Sequence, residues 1–154
     1  MRLLLFLVLA ALTGCAARQE KWKTELSAVV EKWEAAYASP DAKVAYAETL
    51  AYADYLKKMQ RDGIPFDAPK VLVWVYPRLG LLAEHLGKKE EAEKHFATAV
   101  RHAKAIYPHE PESKTSEAAF RSALDKMDTP DHILWRKMPN HTAEPTSPSR
   151  GGSS

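Results

Sequence analysis

Apolar side chains recur every three or four positions between Trp22 and Met127, with hardly any of the strict alternation that a half-buried strand requires. The stripe Trp22, Leu26, Val29, Val30, Trp33, Ala36 and Tyr37 predicts a first helix from Glu20 to about Ser39, stopped by Pro40. Val44, Ala47, Ala51, Tyr55, Leu56 and Met59 predict a second from Asp41 to about Asp62, ended by the breaker Gly63-Ile64-Pro65. A third is expected to be capped by Asp67, with Pro69 in its first turn, where an N–H has no helical partner anyway, and to end at Gly87. A fourth follows from Lys88 to about Tyr107, and a fifth spans Ser113 to Met127 with Ala119, Phe120, Ala123, Leu124 and Met127 inward. A short turn begins at Thr129-Pro130. The predicted class is all-α, with antiparallel helical hairpins arranged as a repeat-like stack or a small bundle.

Composition supports this and narrows the partners. From Lys21 to Met138 the chain is rich in Ala, Leu, Glu and Lys, all good helix formers. The 22 basic and 20 acidic side chains nearly cancel, which argues against a nucleic-acid binder with base gathered on one face. From Pro139 to Ser154 the sequence is Pro, Ser, Thr and Gly with almost nothing apolar, so disorder is expected there.

The amino-terminal residues have a different character. Arg2 precedes ten apolar residues, Leu3 to Leu12, too few for a membrane-spanning helix of roughly 20 residues but right for the apolar part of a secretory signal. The single cysteine, Cys15, follows at once in Leu12-Thr13-Gly14-Cys15. This tetrapeptide resembles the lipobox of bacterial lipoproteins. The resemblance implies cleavage between Gly14 and Cys15, a diacylglycerol on the Cys15 sulfur and acylation of the new amino terminus. A single acyl chain holds only marginally, so two or three make the stable anchor. With one cysteine there is no intramolecular disulfide, and stability must come from packing.

The implied organisation is a signal peptide over 1–14, a lipid anchor and tether over 15–19, a helical domain over 20–138 and a tail over 139–154. Loss of the signal removes Arg2 alone among charged groups and leaves a net charge of about +1. Ala16, where inner-membrane lipoproteins carry aspartate, points to the outer membrane, facing the periplasm.

Within the third and fourth helices, Tyr76-x2-Leu79-Gly80-x2-Ala83, Gly87 and Ala92-x3-Phe96-x2-Ala99 resemble a tetratricopeptide repeat over roughly Val73 to Lys104. Gly80 and Ala92 are small enough for two antiparallel helices to approach closely, Leu79, Phe96 and Ala99 fill the seam, and Gly87 supplies the turn. The chain departs from the repeat at Ala83, where an aromatic is usual, at Pro77 inside the first helix, and in the late position of Pro108. Tyr46-x3-Leu50-x2-Ala53 echoes the same stripe in the second helix, which with the first reads as a degenerate hairpin; the fifth reads as a cap. An irregular bundle whose one hairpin matches by convergence is the alternative arrangement.

Catalytic signatures are missing from the sequence: it has no Gly-x-Ser-x-Gly elbow, phosphate loop or His-Glu-x-x-His. His95 and His102 are about 10 Å apart along one helix, too far to share a metal ion unaided, and read as solvated surface histidines. His109-Glu110-Pro111-Glu112 reads as a rigid polar corner, and Asp128, Asp131 and His132 as capping groups around Pro130. Neither an enzyme, a metal nor a cofactor is expected.

A second stripe on the third helix, Trp74, Arg78, Leu81 and His85, lies on a different face from the repeat seam. In tetratricopeptide proteins the corresponding side lines a concave groove for peptides or partner helices, which the resemblance extends to these four residues. Alternatively Trp74 and Leu81 are buried against the second helix, with Arg78 and His85 emerging at its edge. The expected function is a non-enzymatic, membrane-anchored adaptor or assembly factor for an envelope protein partner. The alternative is a helical module for a small apolar ligand or lipid.

Overall fold

The structure, a computed structural model, describes residues 21–129 and 131–139. It is all-helical over them, with no strand among the described residues. The order is α1 (residues 21–38), α2 (Ala42–Arg61), α3 (Ala68–His85), α4 (Lys89–Ile106), α5 (Glu112–Thr115) and α6 (Glu117–Met127), followed by one 3-10 turn, Leu134–Lys137. Cys15 and Gly14, and the tail from 140 onward, lie outside the described residues.

Local chemistry sets the ends of the long helices. The Asp41 carboxylate accepts the backbone N–H groups of Lys43 and Val44 and caps α2. Two helices stop in the same way. Gly63 and Gly87 adopt φ +65° and +76°, which lets Ile64 N–H reach Met59 C=O and Lys88 N–H reach Ala83 C=O. Those bonds satisfy carbonyls the helices would otherwise leave open, and a side chain at either glycine would strain the turn. Asp67 departs from expectation: it precedes α3, but its carboxylate pairs with Lys70 Nζ at 2.5 Å and makes no cap bond.

Packing centres on α3, which lies between α2 and α4 and also touches α6. Its Leu72, Val75, Leu79 and Leu82 are almost wholly buried, as a helix apolar on most faces requires. On α4, Phe96 sits against Gly80 so closely that a Cβ there would lie 2.6–2.8 Å from the ring. The seam expected from sequence is therefore present, with Ala92 and Ala99 buried beside it. Pro77 is buried inside α3 without ending it. On the other side, the Trp33 indole of α1 stacks on Tyr52 at 4.8 Å, and its N–H donates to Thr49 Oγ1 at 3.1 Å. Thr49, wholly buried, donates its own hydroxyl hydrogen bond to Ala45 C=O at 2.7 Å, so this polar group is satisfied inside the core.

The expected fifth helix is two. Backbone ψ of 164° at Ser116 breaks it, and the Ser116 hydroxyl accepts Ala119 N–H to start α6 afresh. Phe120 and Leu124 face inward as expected, but Ala119 and Ala123 are only half-buried and Met127 is 53 % exposed.

Candidate functional site

The four residues of the second α3 stripe are divided between two environments. Trp74 lies against α6, edge-on to Phe120 with centroids 5.7 Å apart and an interplanar angle of 88°. Arg78 turns instead towards the segment that follows α6: Nε and Nη2 donate to Oδ2 and Oδ1 of Asp128 at 2.9 and 2.8 Å, and Nη1 donates to Trp74 C=O at 3.1 Å. Its guanidinium also lies 5.8 Å from the Trp33 ring and 5.7 Å from the Tyr37 ring. The Tyr37 hydroxyl donates to Asp128 Oδ2 at 2.8 Å. Burial, and then the neighbouring carboxylate, hold that phenol far above its usual pKa, so it remains a donor.

The chain continues across this face as a strap. Asp128 C=O accepts from Arg136 Nη1 at 2.8 Å, and Ile133 and Trp135 are buried. The Trp135 ring meets His85 edge-on at 5.2 Å and Tyr37 at 5.9 Å, while its Nε1 is buried with no hydrogen-bond partner among the described residues. An unpaired donor of this kind typically costs about 1–3 kcal/mol, so apolar burial of the ring must outweigh it for the strap to stay down.

This arrangement corrects both readings of the stripe. Arg78 and His85 neither line an open groove nor emerge at an edge; they are the enclosed pair, because the strap covers them. Trp74 and Leu81 are only half-buried. Asp128 is no mere cap: it is the acceptor around which Arg78 and Tyr37 converge. One signal for it existed in the sequence. An acid just beyond a helix carboxyl terminus opposes the helix dipole and needs a cationic partner from elsewhere.

Trp74 does line open space. A surface groove of about 880 Å³ runs along α6, walled by Trp74, Ala119, Phe120, Ala123 and Met127, with Lys114 and Lys126 also lining it. A smaller depression of about 190 Å³ between Val73, Ala103, Tyr107 and Thr115 also has Trp74 and Phe120 in its lining. The groove presents apolar surface with a flexible thioether more than half in solvent, an adaptable lining for a partner's side chains.

A third cluster joins α2, α3 and α4. The Tyr46 hydroxyl donates to Glu91 Oε2 at 2.6 Å and lies 3.0 Å from His95 Nε2, which therefore serves as the donor to it. The Tyr76 ring stacks with His102 at 5.3 Å and with His95 at 6.3 Å. Contrary to expectation, the two histidines are half-buried and engaged with tyrosines rather than free in solvent. Desolvation lowers the pKa of both; at His95 the Glu91 carboxylate opposes the shift in part, while Arg101 and Lys57 add to it at His102. Hydrogen bonds from Tyr46 and then Lys88 hold the Glu91 carboxyl below its usual range. Residues 109–112 are exposed, as a polar corner would be, with Glu110 paired to Lys114 at 2.9 Å and Glu112 to Lys104 at 3.7 Å.

Among the described residues no group of three or more His, Cys, Asp or Glu side chains is placed to hold a metal ion, and no helix is long and apolar enough to cross a membrane. Comparison with protein-family models, curated proteins and solved structures finds no match. The fold and site define, over the described residues, an all-α domain of packed antiparallel helices with an apolar surface groove along α6.

Proposed function

We propose that this chain is a lipid-anchored, non-enzymatic adaptor of the bacterial cell envelope, held in the outer membrane by acyl groups on Cys15 and engaging an envelope protein through the α6 groove. The observation that carries the partner site is the groove itself: Trp74, Phe120, Ala123 and Met127 form an apolar wall that nothing within the described chain fills. An aromatic anchor beside small residues suits an amphipathic partner helix, which lays its own apolar face into such a channel. The anchor rests on the Leu12-Thr13-Gly14-Cys15 signature. The Gly80–Phe96 seam and the Gly87 turn support reading α3 and α4 as a tetratricopeptide-like hairpin, with the partner surface moved from its concave side to α6 because the strap occupies the former.

Site-specific photocrosslinking of the acylated protein in its native envelope tests this. A crosslinker at Ala123 should trap one discrete protein, a crosslinker at exposed Lys89 should not, and Trp74→Ala should abolish the adduct. Equal capture from both positions, or none from Ala123, overturns the groove assignment. A lipid retained at Ala123 in native mass spectrometry would favour the apolar-ligand function instead.

A further inference from the structure

The short tether and the placement of α1 together determine which end of the bundle meets the bilayer. Six residue steps separate Cys15 from Lys21, at most about 22 Å of extended chain, whereas the 20-residue α2 is about 30 Å long. The start of α1 is therefore kept close to any membrane that holds Cys15, and the question is what else sits there. Trp22 packs against Phe66 of the α2–α3 turn, centroids 6.3 Å apart, so the first described turn of α1, the last turn of α2 and the start of α3 share one end.

That end has the composition of a membrane-contacting surface. Trp22, Ile64 and Phe66 are only partly buried, leaving aromatic and aliphatic surface at the tip. The surrounding turns hold five cations, Lys21, Lys23, Lys58, Arg61 and Lys70, against three anions, Glu25, Asp62 and Asp67, which pair with Lys21, Lys58 and Lys70, so the excess of positive charge rests on Lys23 and Arg61. The opposite end reverses the balance: the turns around Ser39–Asp41 and Leu86–Lys88 hold three cations and four anions. Tryptophan and phenylalanine at headgroup depth, ringed by lysine and arginine, match an anionic interface in both polarity and charge.

We infer that the end of the bundle bearing Trp22, Ile64 and Phe66, ringed by Lys21, Lys23 and Arg61, docks end-on against an anionic phospholipid surface. The inference rests on the lipid anchor at Cys15. It adds an orientation, with the α6 groove upright beside the membrane and the Gly87 turn pointing away from it.

The test uses the full-length acylated protein in phosphatidylethanolamine–phosphatidylglycerol vesicles containing brominated lipid, with a fluorophore on a cysteine introduced at one exposed position, Cys15 being blocked by acylation. Pro65→Cys at the tip should be quenched several-fold more than Ala28→Cys midway along α1 or Lys89→Cys at the far end. Arg61→Glu with Lys23→Glu, both exposed, should remove most of that difference without releasing the protein from the vesicles. Equal quenching at positions 65 and 28 means a domain lying flat, and no quenching at 65 means a domain held off the bilayer; either overturns the inference while the anchor stands. A protein that carries no acyl group removes the anchor and this inference with it.

Discussion

Arg78 and Asp128, fifty residues apart, form a two-point ion pair in which the side chains are 11 % and 7 % exposed. Tyr37 donates to the same carboxylate, so α1, α3 and the strap meet at one charged pair. Removing one partner of a buried pair leaves an uncompensated charge, typically at a cost of about 3–5 kcal/mol. Arg78→Glu and Asp128→Ala are each expected to lower the urea midpoint strongly, and Arg78→Met with Asp128→Leu to recover much of the loss. A midpoint unchanged in Arg78→Glu would show that the pair does not hold the strap.

The Gly80–Phe96 seam gives a second prediction. Phe96 is buried and has the Arg121 guanidinium 4.1 Å above its ring, so it cannot retreat from an added side chain. Gly80→Leu and Ala92→Leu should each cost about 1–3 kcal/mol or more, because extra methylenes in a filled seam force neighbours off their rotamers. Exposed Glu90→Ala should stay within about half a kcal/mol. Chemical denaturation separates these outcomes directly.

His95 and His102 make stability depend on pH. Their folded-state pKa values lie below the ordinary 6.5, chiefly through desolvation, so the unfolded chain binds more protons as the solution acidifies. Their contribution is fully present above pH 6.5 and is lost as pH falls through the folded-state values. Melting temperature should therefore decline below about pH 6.5, and His95→Gln with His102→Gln should flatten that part of the curve. A slope identical to wild type in the double variant would assign the acid sensitivity to other groups.

Cys15→Ser is expected to leave an uncut precursor without lipid, since the diacylglycerol is taken by sulfur and a hydroxyl is a far weaker nucleophile. Metabolic labelling with a fatty acid reads this. Label in the serine variant, or none in the wild type, would remove the anchor.

Most of the helical framework was legible in the sequence because its causes are local. Periodicity placed α2 to α4, and the carboxyl end of α1, within a residue or two, Asp41 and Pro40 marked one boundary, and Gly63 and Gly87 marked two ends that need positive φ. Gly80, Ala92 and Phe96 could be assigned to one seam in advance because adjacent helices joined by a tight turn have nearly determined register, whereas the direct contact of Gly80 with the Phe96 ring came from the structure. What the sequence did not disclose is where the strap lies and how α6 is set. The Arg78–Asp128 and Tyr37–Asp128 contacts span 50 and 91 residues, and a pairing that long leaves no periodic trace. Tertiary packing alone decided that Trp135 covers His85, that Met127 turns out to solvent and that Trp74 faces a groove, since each depends on which of several apolar faces buries more area once the helices have met.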